Sequence, residues 1–287
     1  MHNPGVRFGR FEVHLFSAGV FKQDGGLMFG VVPKVVWERV LKADERNRVT
    51  VPMNCLLVSD DRNVVLLETG AGDKLAAKWL DIWGIDPGEH VLQKLKQRGV
   101  GAGDVTLVLN THLHFDHAGG NTVRDERGSV RPAFPRARYV IQRIEWEDAL
   151  HPHERSKASY FADDFAPLER AAEFVDGEAE LLPGLRVVRV RGHTRATQYL
   201  LLQQEGRTLF FSCDFMMSRH HLPLPWIPAL DLYPMDALEA KKELLPRAVA
   251  EEWLVAFTHD LPRFGRVRER DGNYVFEEVG PEPAPQS

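Results

Sequence analysis

Cysteine is nearly missing from this chain: Cys55 and Cys213 are the two among 287 residues, and both sit in apolar surroundings. Two thiols cannot build a disulfide framework, so the expectation is a packed core with both thiols reduced and buried. Long apolar runs are missing as well. No stretch approaches the ~18 apolar residues that span a bilayer, and Met1 to Arg7 lacks the apolar core of a signal peptide. Nor is there a basic excess: 36 Lys and Arg against 41 Asp and Glu give a net charge of −5 and a pI of about 6.2. Polyanions such as nucleic acid are poor partners for that balance. The expectation is a cytoplasmic protein that engages neither nucleic acid nor a membrane. Hydrophobic content of 44% and charged content of 27% supply ample material for a globular core. With no internal repeat or linker in view, residues 1–279 read as one domain, and the proline-rich stretch 280–287 as a disordered tail.

Histidine, by contrast, is concentrated. Three of the 12 histidines fall within six residues of Thr111-His112-Leu113-His114-Phe115-Asp116-His117-Ala118-Gly119-Gly120. The preceding run, Val105 to Asn110, has the length and β-branched content of a buried strand, which puts the cluster on the loop leaving its C-terminal end. Imidazole nitrogen and carboxylate oxygen are ligands for zinc and similar divalent ions. His112 and His114, two apart, can turn the same way in an extended segment and grip one ion. Asp116 and His117 on the following turn can face a second. Gly119 and Gly120 read as positions where the backbone bends sharply.

The same ending recurs further on. Leu185 to Arg191 alternates like a half-buried strand and runs into His193; Thr208 to Cys213 ends at Asp214; Trp253 to Thr258 ends at His259. Four strand-like runs therefore terminate in metal-competent residues, and ligands gather where strand ends converge. His151 and His153 repeat the two-apart spacing, but no strand precedes them, so they read as surface residues. Val64 to Leu67 is a strand ending at Glu68, which either orients a metal-bound histidine or is an ordinary turn carboxylate.

Other segments shape the surroundings. Phe11 to Ser17 reads as the first strand. The glycine-flanked stretch Asp24 to Lys34 reads as a loop whose Met28 and Phe29 either tuck into the core or wall an apolar pocket. Capping boxes are expected to open helices at Asp86-Pro87-Gly88-Glu89 and at Asp236-Ala237-Leu238-Glu239. The proline-stiffened stretch Leu222 to Pro228 suggests packing beneath a partner subunit, hence a possible homodimer, or a lid over an apolar ligand.

The series His112-x-His114-x-Asp116-His117, followed by His193, Asp214 and His259, resembles the signature of the metallo-β-lactamase superfamily, and the likeness spans nearly the whole chain. It implies an α+β fold, a four-layer αβ/βα sandwich with a two-metal site at the edge of two sheets. His112, His114 and His193 would hold the first ion, Asp116, His117 and His259 the second, and Asp214 would bridge them. The Asp24–Lys34 and Leu222–Tyr233 loops are similar to a branch that includes quorum-quenching N-acyl-homoserine lactonases and hydrolases of organophosphate triesters.

Three positions depart from that branch. Glu68 stands where aspartate is common, His193-Thr194-Arg195-Ala196-Thr197 lacks a usual proline and glycine, and Met217 replaces a tyrosine that some lactonases carry. Tyr233 is the candidate substitute. The implied function is a dinuclear metallohydrolase whose bridging hydroxide opens a lactone, or cleaves an ester, in a small-molecule substrate with an apolar portion. Asp116 and Asp214 would be catalytic as well as ligating, with Asp116 carrying a proton to the leaving group. Met28, Phe29, Met217, Leu224, Trp226 and Tyr233 would line the substrate pocket. Zinc is the first expectation for both ions, with iron, manganese and cobalt compatible with the same donors. Thioesters, β-lactams and phosphotriesters are alternative substrates, and iron-dependent redox chemistry is an alternative of another class.

Overall fold

The computed structural model describes residues 5–86 and 88–280. Pro87, expected in a helix's first turn, and the tail beyond Gly280 lie outside the described residues.

Two seven-stranded sheets make the frame. The first holds β1 (Val6–Phe8), β2 (Phe11–Asp24), β3 (Arg48–Ser59), β4 (Val64–Leu67), β5 (Leu107–Leu109), β8 (Arg138–Gln142) and β9 (Ala172–Val175), side by side in that order. The second runs β10 (Ala179–Leu182), β11 (Leu185–Val190), β12 (Thr197–Gln204), β13 (Arg207–Phe211), β14 (Leu254–Ala256), β15 (Gly265–Arg270) and β16 (Asn273–Glu278). Pairing is antiparallel from β1 to β4 and parallel from β4 through β9. In the second sheet β13 and β14 pair in parallel.

Period-two alternation explains why the sheets stack. Leu56, Val58, Val65, Leu67, Leu107, Leu109 and Val140 meet Leu200, Leu202, Leu209, Phe211 and Leu254 in one core between the sheets. Their neighbours Cys55, Leu57, Leu66, Val108, Tyr139 and Ile141 face outward into a second core. Helix α4 (Val91–Lys96) closes that core through Val91 and Leu95, and α6 (Arg143–Leu150) through Trp146 and Ala149. Tyr199, Leu201, Phe210, Val255 and Phe257 form the equivalent outer face of the second sheet. Against it lies α8 (Pro234–Ala250), which contributes Ala237, Leu244, Leu245 and Ala248. The result is helices, sheet, sheet, helices: the four-layer αβ/βα sandwich. No helix among the described residues is long and apolar enough to cross a membrane.

Several local expectations change. Asp24 to Lys34 is not a plain loop: Asp24 Oδ1 accepts from Gly26 N at 2.8 Å and Leu27 N at 3.1 Å, capping α1 (Gly25–Phe29). A four-residue α2 (Lys34–Trp37) follows. Neither capping box forms. Asp86 Oδ1 accepts from Gly88 N within a turn, and α4 starts at Val91 with no side-chain cap. Helix α8 starts at Pro234, so Asp236 already lies in its first turn. The stretch from Asn121 to Ala137, read as loop, contains the hairpin β6 (Thr122–Arg124) and β7 (Val130–Pro132).

Candidate metal centre

Each candidate ligand lies just past the end of a strand. Strand β5 delivers His112 and His114, then α5 (Phe115–Ala118) carries Asp116 and His117. Strands β11, β13 and β14 deliver His193, Asp214 and His259. Backbone and side-chain bonds tie these loops together. Thr69 N and Asn110 Nδ2 both donate to His117 O, at 2.8 and 2.9 Å, and His259 N donates to Met217 O at 2.8 Å. The buried Glu145 carboxylate joins two ligand loops, accepting from Leu113 N at 3.0 Å, Thr194 Oγ1 at 2.7 Å and Tyr160 OH at 2.9 Å.

Two groups of donor atoms result. His112 Nε2 and His193 Nε2 lie 3.0 and 3.1 Å from His114 Nδ1. That spacing is close to the ~3.3 Å edge of a tetrahedron built on ~2.0–2.1 Å metal–nitrogen bonds. In the second group His117 Nε2 and His259 Nε2 are 3.1 Å apart, with Asp116 Oδ2 at 3.5 and 3.4 Å from them. Asp214 Oδ2 sits between the groups, 3.3 Å from His117 Nε2, 3.4 Å from His259 Nε2 and 3.8 Å from His193 Nε2. Its other oxygen accepts from Thr258 Oγ1 at 2.9 Å.

These residues fit a pair of cations. His193 Nδ1 meets Asp231 Oδ1 at 3.0 Å, and His259 Nδ1 meets the Pro52 carbonyl at 2.8 Å. A carboxylate and a carbonyl can only accept, so both Nδ1 atoms carry protons and the inward Nε2 atoms of the neutral rings offer lone pairs. His112 Nδ1 is held by Thr111 Oγ1 at 2.9 Å, and His117 Nδ1 lies 3.4 Å from Glu68 Oε1. Glu68 also accepts from Thr111 N at 3.0 Å.

Charge makes the same demand. Burial, reinforced by the neighbouring histidines, keeps His112 well below the ordinary range and takes His114 to about 3, so neither imidazole takes up a second proton. In the second group burial again opposes protonation, yet Asp214, Asp116 and Glu68 outweigh it and lift His117 well above its usual range. Asp214 lifts His259 to about 9 against the same burial. Buried carboxylates that pull this hard on histidines call for positive charge between them, which divalent ions supply while the imidazoles stay neutral.

The two groups floor a cavity of about 340 Å³, to which His114, Asp116, His193, Asp214 and His259 are open. Its apolar wall is Phe21, Leu27, Met28, Trp83, Phe115 and Met217. Met28 is at once core and wall, and Met217 stands beside the site. The other expected pocket residues are elsewhere. Phe29 is fully buried, stacked between Trp37 and His221 at centroid distances of 5.2 and 5.6 Å, and Trp226 meets it edge-on. Leu224 packs on the outer core of the second sheet. Tyr233 lies under the Arg191 guanidinium at 3.7 Å and faces a separate cavity of about 240 Å³ with the exposed His151 and His153. Lys241 of α8 donates to the carbonyls of Pro223, Leu224 and Trp226, anchoring the stretch that carries two of these residues.

Sequence reading missed Asp231, Glu145 and Tyr160, as well as the wall residues Phe21 and Trp83. Phe115 alone had a signal, since it stands between His114 and Asp116.

Known proteins place this arrangement. The family model described as the metallo-beta-lactamase superfamily matches residues 49–259. An N-acyl homoserine lactonase of Bacillus thuringiensis is 25% identical over 224 residues, 74% of this chain and 83% of its own. The N-acyl homoserine lactonase AttM of Rhizobium radiobacter is 21% identical, covering 73% of this chain and 82% of its own. Among solved structures, a "probable metal-dependent hydrolase" of Staphylococcus aureus superposes with a TM-score of 0.88 at 28% identity, covering 97% of this chain and all of the other. AidC, described as a dizinc quorum-quenching lactonase, has a TM-score of 0.78 at 20% identity over 99% of both chains. The chain belongs to the metallo-beta-lactamase superfamily, as one of its metallohydrolases.

Proposed function

We propose that this protein opens a lactone of the N-acyl-homoserine-lactone kind, or cleaves a comparable ester, using two divalent ions of which zinc is the first candidate. His112, His114 and His193 would hold one ion, Asp116, His117 and His259 the other, and Asp214 would lie between them. The observation that carries the reading is the pairing of two converging donor groups with a cavity whose remaining wall is largely apolar. The named lactonase relatives and the dizinc lactonase neighbour support the substrate class and the metal. When bound, the ions would supply an acidified water as nucleophile and polarise the carbonyl oxygen.

The chain's own residues then have distinct tasks. Phe21, Leu27, Met28 and Trp83 take up the acyl portion and exclude water from around the scissile bond. Asp116, open to the cavity and ligating on the same carboxylate, is placed to carry a proton to the leaving oxygen.

The test is a panel of lactones, aryl esters, thioesters, β-lactams and phosphotriesters on metal-reconstituted protein, alongside His114→Ala. Lactones are expected to give the highest kcat/KM, and His114→Ala is expected to lose bound metal and turnover together. Normal metal content with normal turnover in that variant would reject the ligand assignment. Metal analysis after anaerobic purification, with oxygen consumption, separates hydrolysis from iron-dependent redox chemistry.

A further inference from the structure

Among the described residues lining the metal cavity, Arg155 is the only lysine or arginine. It comes from the segment that also contributes Ser156, Ala158 and Ser159, while Phe21, Leu27, Met28 and Trp83 come from β2, α1 and α3 (Ala77–Trp83). The side chain is exposed, and one Nη2–H donates to the Ala229 carbonyl at 2.5 Å, spanning to the loop that carries Leu230 and Leu232. No carboxylate pairs with it among the described residues, and the rest of its guanidinium N–H groups have no protein acceptor there. A planar cation held at one point, with its other donors free and facing a cavity, is built to receive a planar oxygen acceptor.

We propose that Arg155 is a specificity-determining residue, binding an amide carbonyl or carboxylate that the substrate carries away from the bond being cleaved. This rests on the hydrolytic reading of the cavity and extends it. A plain apolar ester would leave the free guanidinium donors of Arg155 without an acceptor. The preferred substrate is therefore amphipathic, with an acyl chain against the apolar wall and an acceptor at Arg155. Neither Arg155 nor any of its partners is a candidate metal ligand, so substitution there leaves the metal groups complete.

The experiment compares kcat and KM for wild type, Arg155→Met and Arg155→Lys, all metal-reconstituted, on three lactones of matched chain length. One bears an N-acyl amide, one a terminal carboxylate, and one only an alkyl chain. Arg155→Met is expected to raise KM about tenfold for an acceptor-bearing lactone, the low end for a lost hydrogen bond to a charged group. Its kcat and the alkyl lactone should change by less than about twofold, and Arg155→Lys should recover part of the loss. Whichever of the two acceptors responds names the group. An equal change on all three lactones would mean that Arg155 only braces the rim, and would overturn the proposal, as would no change on any.

Should wild type turn over none of them, the hydrolytic reading fails on its own. Calorimetric binding of a ring-opened N-acyl homoserine and of the matching alkyl hydroxy acid then decides the role of Arg155. A loss of about tenfold confined to the amide-bearing ligand in Arg155→Met supports it; equal affinities in wild type and variant reject it.

Discussion

His193 and His259 point their Nε2 atoms inward because Asp231 and the Pro52 carbonyl hold the opposite nitrogens. Removing such an outer partner frees the ring to rotate, so Asp231→Ala is expected to weaken metal binding by ~10–100-fold, read by competition with a chromophoric chelator. His114 is held differently: its Nε2 is buried without a hydrogen-bond partner among the described residues, and its ring packs edge-on against Tyr160 at 4.6 Å. Nothing in the local sequence announces Asp231 or Tyr160, since each reaches the site from its own distant loop. Gly119 shows how a residue can be read correctly for the wrong reason. Its φ of −58° is ordinary helical backbone, so no sharp bend needs glycine there. A Cβ would instead lie 2.2 Å from the Ala71 carbonyl oxygen, and close approach of two backbones is what excludes a side chain.

Among the elements, the strands were the most readable: β11 alternates as a half-buried strand does, and β4, β5 and β13, covered on both faces, read as short apolar runs. Helix starts were not. The Asp236–Glu239 box is a local signal, but Tyr233 N already donates to Gly192 O at 2.9 Å, and Pro234 has the φ that a first turn requires. The Leu222–Pro228 stretch is anchored from its inner side. Lys241 of α8 is fully buried, with Nζ donating to the carbonyls of Pro223, Leu224 and Trp226 at 2.7, 3.1 and 3.1 Å. Lys241→Met keeps the aliphatic stem and orphans three acceptors. With unsatisfied buried groups costing about 1–3 kcal/mol each and partial relaxation of the loop, it should lose about 2–4 kcal/mol in urea unfolding. The same variant should raise KM, because the loop continues into the cavity residues Ala229, Leu230 and Leu232.

Across the whole molecule, each donor group draws on both sheets: His112 and His114 with His193, and Asp116 and His117 with Asp214 and His259. Ions bound there cross-link the two halves and stabilise the folded state by mass action. Chelation is therefore expected to lower Tm by at least about 5 °C, the shift for one site held near a hundredfold above its Kd. A second whole-molecule prediction concerns Asp164, which pairs with Lys74 at 3.1 Å where both side chains are almost fully buried. Burial lifts its pKa from 3.8 to about 6 against the pull of Lys74. The folded state then binds the extra proton, so the stability it confers is complete below pH ~4 and lost as pH rises through ~6. Comparing wild type with Asp164→Asn by urea midpoint at pH 4.5, 5.5 and 6.5 should show the difference shifting in the variant's favour by about 2 kcal/mol across that range. A difference that stays constant with pH would contradict it.

The sequence by itself determined the strand-like runs, the order of seven ligand-type side chains and their place at strand ends, because each of these is written in spacing within a few residues. Only the tertiary structure decided which apolar and charged groups face the cavity. Met28 and Phe29 are adjacent apolar residues, yet only Met28 lines it, since that choice depends on hydrogen bonds and packing between segments some two hundred residues apart, such as His221 Nε2 on Met28 O at 3.0 Å.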